Sequence, residues 1–114
     1  MDQRKKEAQS AFDNEQYELA IVLMTPFAEA GDAAMQCNLG TLYQLGLGCK
    51  RDLTRAVYWL EKAADAGSGL AAHNLGTLYM TCLPDWPVDS KKNEIWRARA
   101  QALGYSPFRP DKHR

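Results

Sequence analysis

Apolar residues recur at steps of three and four through most of the chain. In YELAIVLMTPFAEAG, Tyr17, Ala20, Ile21, Met24, Phe27 and Ala28 fall on one stripe, the 3.6-residue pattern of an amphipathic helix. Pro26 lies inside it and lacks the N–H that would bond back one turn, so a bend or an irregular middle is expected. Gly31 ends this helix. The next segment, AAMQCNLGTLYQLG, is alanine-rich with Thr41 as its one β-branched residue, and it predicts a second helix. Two close glycines and a polar run in LGLGCKRDLTRA break it. Asp52 then caps LTRAVYWLEKAADAG, whose stripe is Ala56, Trp59, Leu60 and Ala63 and whose stop is Gly67. GLAAHNLGTLYM and SKKNEIWRARAQALG make a further pair around the longer loop TCLPDWPVD, with Ser90 or Asp89 as cap. YSPFRPDKHR, with two prolines, reads as a tail docked by Tyr105 and Phe108.

These helices repeat. NLGTLY stands at Asn38–Tyr43 and again, 36 residues on, at Asn74–Tyr79; Gly31 and Gly67, Ala20 and Ala56, and Ala30 and Ala66 keep the same step. A period between about 20 and 50 residues that outruns its motif marks stacked supersecondary units. No single pair buries its own apolar face, so stacking is obligatory. The expected layout is an all-α domain over residues 1–105 in three units, 3–31, 32–67 and 68–105, followed by a basic tail at 106–114. A glycine inside a helix costs roughly 1 kcal/mol against alanine. Gly40 and Gly76 therefore predict a neighbouring helix too close for a Cβ. Leu39, Leu42 and Tyr43, with Leu75, Leu78 and Tyr79, are then core.

At this point the residues resemble a known family. Met35, Leu39, Gly40 and Tyr43, then Gly46, Gly48 and Asp52, then Ala56, Trp59, Lys62, Ala63, Ala64 and Gly67 follow the pattern of the Sel-one-like repeat, a relative of the tetratricopeptide repeat. Met35 stands where the family usually has alanine. The next unit matches through Ala71, Leu75, Gly76, Tyr79, Asp89, Trp96, Ala100 and Gly104, with CLPDWP replacing the Gly-x-Gly turn. In the first unit only Ala8, Phe12, Tyr17, Ala20 and Gly31 can be placed. The resemblance implies a right-handed α-solenoid of about three antiparallel helix pairs whose first helices line a concave face. It places Trp59 and Trp96 among the structural residues. Members serve as protein-interaction scaffolds and adaptors, and some bacterial ones are immunity proteins.

Composition changes this picture little. The 114 residues are 46% hydrophobic and 25% charged, with 14 basic and 14 acidic side chains, an ordinary globular balance. Zero net charge gives no global pull toward nucleic acid or an anionic membrane, and neither is expected as a partner. Residues 1–31 carry three basic and six acidic groups, and residues 91–114 seven basic and two acidic, so the ends differ in sign. Cys37, Cys49 and Cys82 form no C-x-x-C pair, which suits a reducing compartment. The N-terminal twenty residues lack the apolar run of a signal peptide, and no stretch reaches a membrane span, so cytoplasm is the default.

Chemistry is sparse. His73 has no carboxylate or cysteine at metal-ligand spacing in its helix, and no metal or cofactor is expected. Gly46-x-Gly48 lacks the strand and lysine of a phosphate loop. Cys37 and His73 occupy equivalent places in successive units, the one arrangement resembling a thiol–imidazole couple. The leading expectation is no enzymatic activity.

The first helices of the units should turn Ala34, Cys37, Asn38, Thr41 and Gln44, then Leu70, His73, Asn74, Thr77 and Met80, toward the hollow. Tetratricopeptide domains carry an asparagine at the place matched by Asn38 and Asn74, where an amide both donates to and accepts from an extended peptide. The competing reading is that both merely brace the hairpin. Glu7 falls at the matching place in the first unit beside Arg4, Lys5 and Lys6, and its charge disfavours a receptor for a terminal carboxylate. Trp86, held between Pro84 and Pro87, is either an interface anchor or a plug folded back in place of the missing turn. The expected function is a binding module, an adaptor, that takes another protein or extended peptide. The rivals are a stoichiometric immunity protein with a toxin as partner, favoured by small size without an accompanying domain, and a small thiol/histidine enzyme.

Overall fold

The computed structural model describes residues 3–105; the tail expected at 106–114, with Phe108, lies outside them. Six helices follow in order: α1 (Gln3–Asp13), α2 (Tyr17–Glu29), α3 (Ala33–Leu45), α4 (Leu53–Asp65), α5 (Gly69–Tyr79) and α6 (Ser90–Ala102). Among the described residues there is no strand, only an isolated bridge between Leu83 and Trp86 in the last loop. Each helix packs on its neighbours in the chain, and α3 also touches α5. Among the described residues no pair of second helices packs as closely as α3 and α5.

Local sequence sets the helix ends. Asp32, Asp52, Ser68 and Asp89 each accept a hydrogen bond from the backbone N–H three residues on, at 3.0, 3.0, 3.1 and 3.0 Å. These are side-chain N-caps, each worth about 1 kcal/mol. Asp89, not Ser90, caps α6. At the far end of α4, Gly67 takes φ +103° and Ser68 N–H returns to the Ala63 carbonyl at 3.0 Å, a closure α2 and α6 repeat through Asp32 and Tyr105. Pro26 does not interrupt α2, which runs through it. Pro26 has no N–H to give the Val22 carbonyl one turn back, and Val22 is exposed.

The core sits at the joints between units. Met24, Ala28, Met35, Leu39, Leu42 and Trp59 join the first unit to the second. Cys37, Leu60, Ala64, Ala71, Leu75 and Leu78 join the second to the third. Leu39 and Leu75 are fully buried, and Trp59 and Tyr79 are nearly so. Tyr43 and Trp96 are half-buried and pack against these clusters. Each repeated tyrosine also lies under a cation from its partner helix, Arg55 at 5.6 Å from the Tyr43 ring and Lys92 at 5.2 Å from Tyr79. Asp52 and Lys50 belong to the α3–α4 loop, where Asp52 N–H closes onto the Tyr43 carbonyl at 3.0 Å; Asp89 does the same to Tyr79 at 2.8 Å.

Lys5 of α1 forms an ion pair with Asp32, the N-cap of α3. Burial pushes the Asp32 carboxyl up, but the Lys5 ammonium and the Met35 and Ala34 N–H groups outweigh it and hold the pKa below the usual range. A depressed folded-state pKa adds stability that is present above the unfolded value, about 3.9, and is lost as pH falls through the folded one. Asp32→Asn keeps the cap and removes the charge. Chemical denaturation should show that variant losing less stability than the parent between neutral pH and about pH 2. Asp32→Ala should in addition lose about 1 kcal/mol at neutral pH.

Candidate functional site: the inner face of α3 and α5

The hollow is built from two helices of nearly identical sequence, yet the repeat does not give them identical roles. Thr41 Oγ1 donates to the Cys37 carbonyl at 2.9 Å and accepts from Asn74 Nδ2 at 3.2 Å. Gln44 Nε2 donates to the Asn74 carbonyl at 3.4 Å. Asn74, Thr41 and Gln44 therefore lace α5 to α3. Asn38 is half-buried, and its amide makes no side-chain hydrogen bond within the described residues. At its register the preceding helix offers Ser10 where α3 offers Thr41, and Ser10 instead accepts from Asn14 at 3.4 Å.

The other expected residues separate in the same way. Cys37 is 5% exposed and packs between α3 and α5, so it is not on the surface of the hollow. Alanines at 71 and 72 let α5 close over it. Burial pushes its thiol up in pKa against weaker opposing hydrogen bonds to Ser68 and Thr41, the reverse of what a nucleophile needs. The His73 ring lies on Tyr105, centroids 4.9 Å apart, and no hydrogen bond joins it to Cys37 among the described residues. Thr77 is exposed, its hydroxyl donating to the His73 carbonyl at 3.3 Å, and Met80 is exposed beside it. Leu45 was missed: it stands one turn beyond Thr41 and is 57% exposed, and the step 38, 41, 45 was visible in the sequence.

Lys5 is engaged with Asp32, and Glu7 lines a shallow cleft with Leu19 and Leu23 at the other side of the first unit. Neither extends the hollow toward a carboxylate clamp. Trp86 is folded back: its Nε1–H donates to the Leu78 carbonyl at 3.0 Å and its ring stacks on Tyr79 at 6.0 Å. Leu42, the counterpart of Leu78, receives the N–H groups of Gly46 and Leu47 at 2.9 and 3.0 Å. The indole thus takes the place of the missing glycine turn. Its remaining exposed edge faces an open cleft of about 460 Å³ between the two inter-helix loops, with Leu53, Leu83 and Pro84. No group of three or more His, Cys, Asp or Glu among the described residues is arranged to hold a metal. No helix among them is long and apolar enough to cross a membrane.

Paired helices packed in chain order, with side-chain caps on α3 to α6, define an α-solenoid of the tetratricopeptide-like class. Residues 33–68 match the Sel1 repeat model. The chain is similar to the Sel1 repeat protein from Oxalobacter formigenes, with a TM-score of 0.71 and 25% identity over 89% of this chain and 42% of that one. It is also 33% identical over 76 residues to chitin synthase regulatory factor 3 of Schizosaccharomyces pombe, covering 65% of this chain and 8% of the relative. Residues 33–68 thus carry a Sel1 repeat, and the fold around them is that of a Sel1-repeat solenoid. Such repeats generally mediate protein–protein interactions.

Proposed function

We propose that this chain is a non-catalytic interaction module whose inner face takes an uncharged, extended segment of a partner protein. The observation that carries it is the chemistry of the hollow. Neither α3 nor α5 contains an Asp, Glu, Lys or Arg, while Asn38 presents a half-buried amide without a side-chain partner, and Leu45, Thr77 and Met80 are exposed along the same two helices and their ends. An amide able to donate and accept suits a peptide backbone, and a charge-free wall disfavours an ionic ligand. The buried, high-pKa Cys37 and the separately engaged His73 argue against thiol catalysis.

Co-purification from the native cell with the parent and Asn38→Ala tests this. The parent should retain a protein at both low and high salt, because no charge pair holds it. Asn38→Ala should weaken that partner by about 1–3 kcal/mol at an unchanged melting temperature. Asn74→Ala should instead lower stability by about 0.5–1.5 kcal/mol, since it unlaces Thr41. Equal recovery by the parent and Asn38→Ala would move binding off this face. Recovery of one secreted hydrolase or nuclease would narrow the partner to a toxin and the role to immunity.

A further inference from the structure

The outer face carries its own repeat. Ala20 and Ala56 hold equivalent buried places in α2 and α4, and the buried Trp59 and half-buried Trp96 stand at equivalent places in α4 and α6. In that register Val22, Tyr58 and Ile95 are counterparts, one on each second helix. All three are apolar and exposed, at 67%, 53% and 57%. A solvated helix face has no need of an apolar side chain at the same place three times over.

Charge is graded along this row. Helix α2 carries Glu18 and Glu29 and no cation, a net −2. In α4, Arg55 and Lys62 balance Glu61 and Asp65. Helix α6 carries Lys91, Lys92, Arg97 and Arg99 against Glu94, a net +3. Beside the row, Glu18 lies one turn before Val22, whose cleft Arg4 of α1 also lines, and Lys91 lies one turn before Ile95.

We infer that the outer face is a docking surface for a second copy of this chain. A two-fold axis alongside α4 sets Tyr58 against its own counterpart. It also lays Val22 of each copy on Ile95 of the other, with Glu18 opposite Lys91. An isologous interface must be self-complementary, and a row running from acidic through neutral to basic meets that requirement. The opposite ends attract, and the neutral middle meets itself. This surface is independent of the hollow of α3 and α5, so the dimer leaves both hollows open. The patch is small, and a dissociation constant of about 10–500 µM is expected.

Sedimentation velocity on the purified chain from about 10 µM to about 1 mM, at low and high salt, reads this directly. The parent should move from monomer toward dimer and need more protein to do so at high salt. Tyr58→Asp, which sets like charges on the axis, should raise the dissociation constant at least about tenfold. Val22→Lys and Ile95→Glu should each do the same, because each meets like charge on the other copy. Combining the two should recover association, since the introduced lysine then faces the introduced glutamate. Val22 is the most exposed of the three, so its variant holds the test if Tyr58→Asp melts early. A parent that stays monomeric throughout, single variants that dimerise normally, or a double variant no better than its singles would each overturn the proposal.

Discussion

Gly48→Ala is expected to lower the melting temperature by roughly 10–20 °C, the largest effect of any single methyl group in this fold. Gly48 sits at φ +74°, and a Cβ there would lie 2.5 Å from the Tyr17 carbonyl carbon and 2.6 Å from the Glu18 nitrogen. Both are backbone atoms in the first turn of α2, which cannot step aside as a side-chain tip would. A left-handed non-glycine residue costs about 1–3 kcal/mol, and overpacking adds about 1–3 kcal/mol. The α3–α4 loop docks here onto the preceding unit, so the loss falls on the joint between units. Gly67→Ala is the control. It has a similar left-handed backbone, φ +103°, with nothing within 4 Å of the added atom, so it reports strain alone. Thermal melts of both variants separate the two terms. A Gly48→Ala protein no less stable than Gly67→Ala would mean that the loop does not bear on α2.

Sequence reading succeeds here where the cause is local. Asp52 and Gly67 are legible as cap and stop because their bonds close within three to five residues. The stripes, and with them Trp59 as core, follow from one period; Leu39 and Leu75 follow from the helical glycines beside them. Roles set by a different unit were not legible. Asn38 and Asn74 are the same residue in the same hexapeptide, yet one is free and the other braced, because Thr41 precedes Asn74 in space while Ser10 stands at that place for Asn38. Cys37 was expected on the hollow; the small side chains of Ala71 and Ala72 draw α5 down over it. Gly48 matched the family's turn, but its contact with Tyr17 lies 31 residues back in the chain. The outer row of Val22, Tyr58 and Ile95 escapes attention for the opposite reason. Each residue alone is an unremarkable exposed apolar side chain, and only alignment of the three helices makes a pattern.

Gly40→Ala should cost about 1–3 kcal/mol by overpacking, whereas Gly76→Ala should stay within about 0.5 kcal/mol of the parent. The sequence predicts the same penalty at both, since both belong to NLGTLY. The structure separates them by what lies opposite. A Cβ at Gly40 would meet Leu60 Cγ at 2.7 Å and Cδ2 at 2.9 Å, with Leu60 N at 3.2 Å. Leu60 is fully buried and has nowhere to turn. In the third unit the counterpart of Leu60 is Arg97, an exposed, flexible chain whose Cγ would lie at 3.3 Å, with Asn93 at 3.5 Å. Arg97 can yield a few tenths of an ångström, and the gain of about 1 kcal/mol from alanine as the better helix former offsets what remains. Asn93 Nδ2 donates to the Gly76 carbonyl at 2.7 Å, a bond to the backbone that the added methyl does not remove. Urea denaturation of the two variants decides between a motif that acts alike in every unit and one read through its neighbour. Equal costs would show that helix approach at the third unit is as tight as at the second, with Arg97 as immobile as Leu60. Unequal costs in the stated order would show that the glycine of NLGTLY answers to the residue across the hairpin.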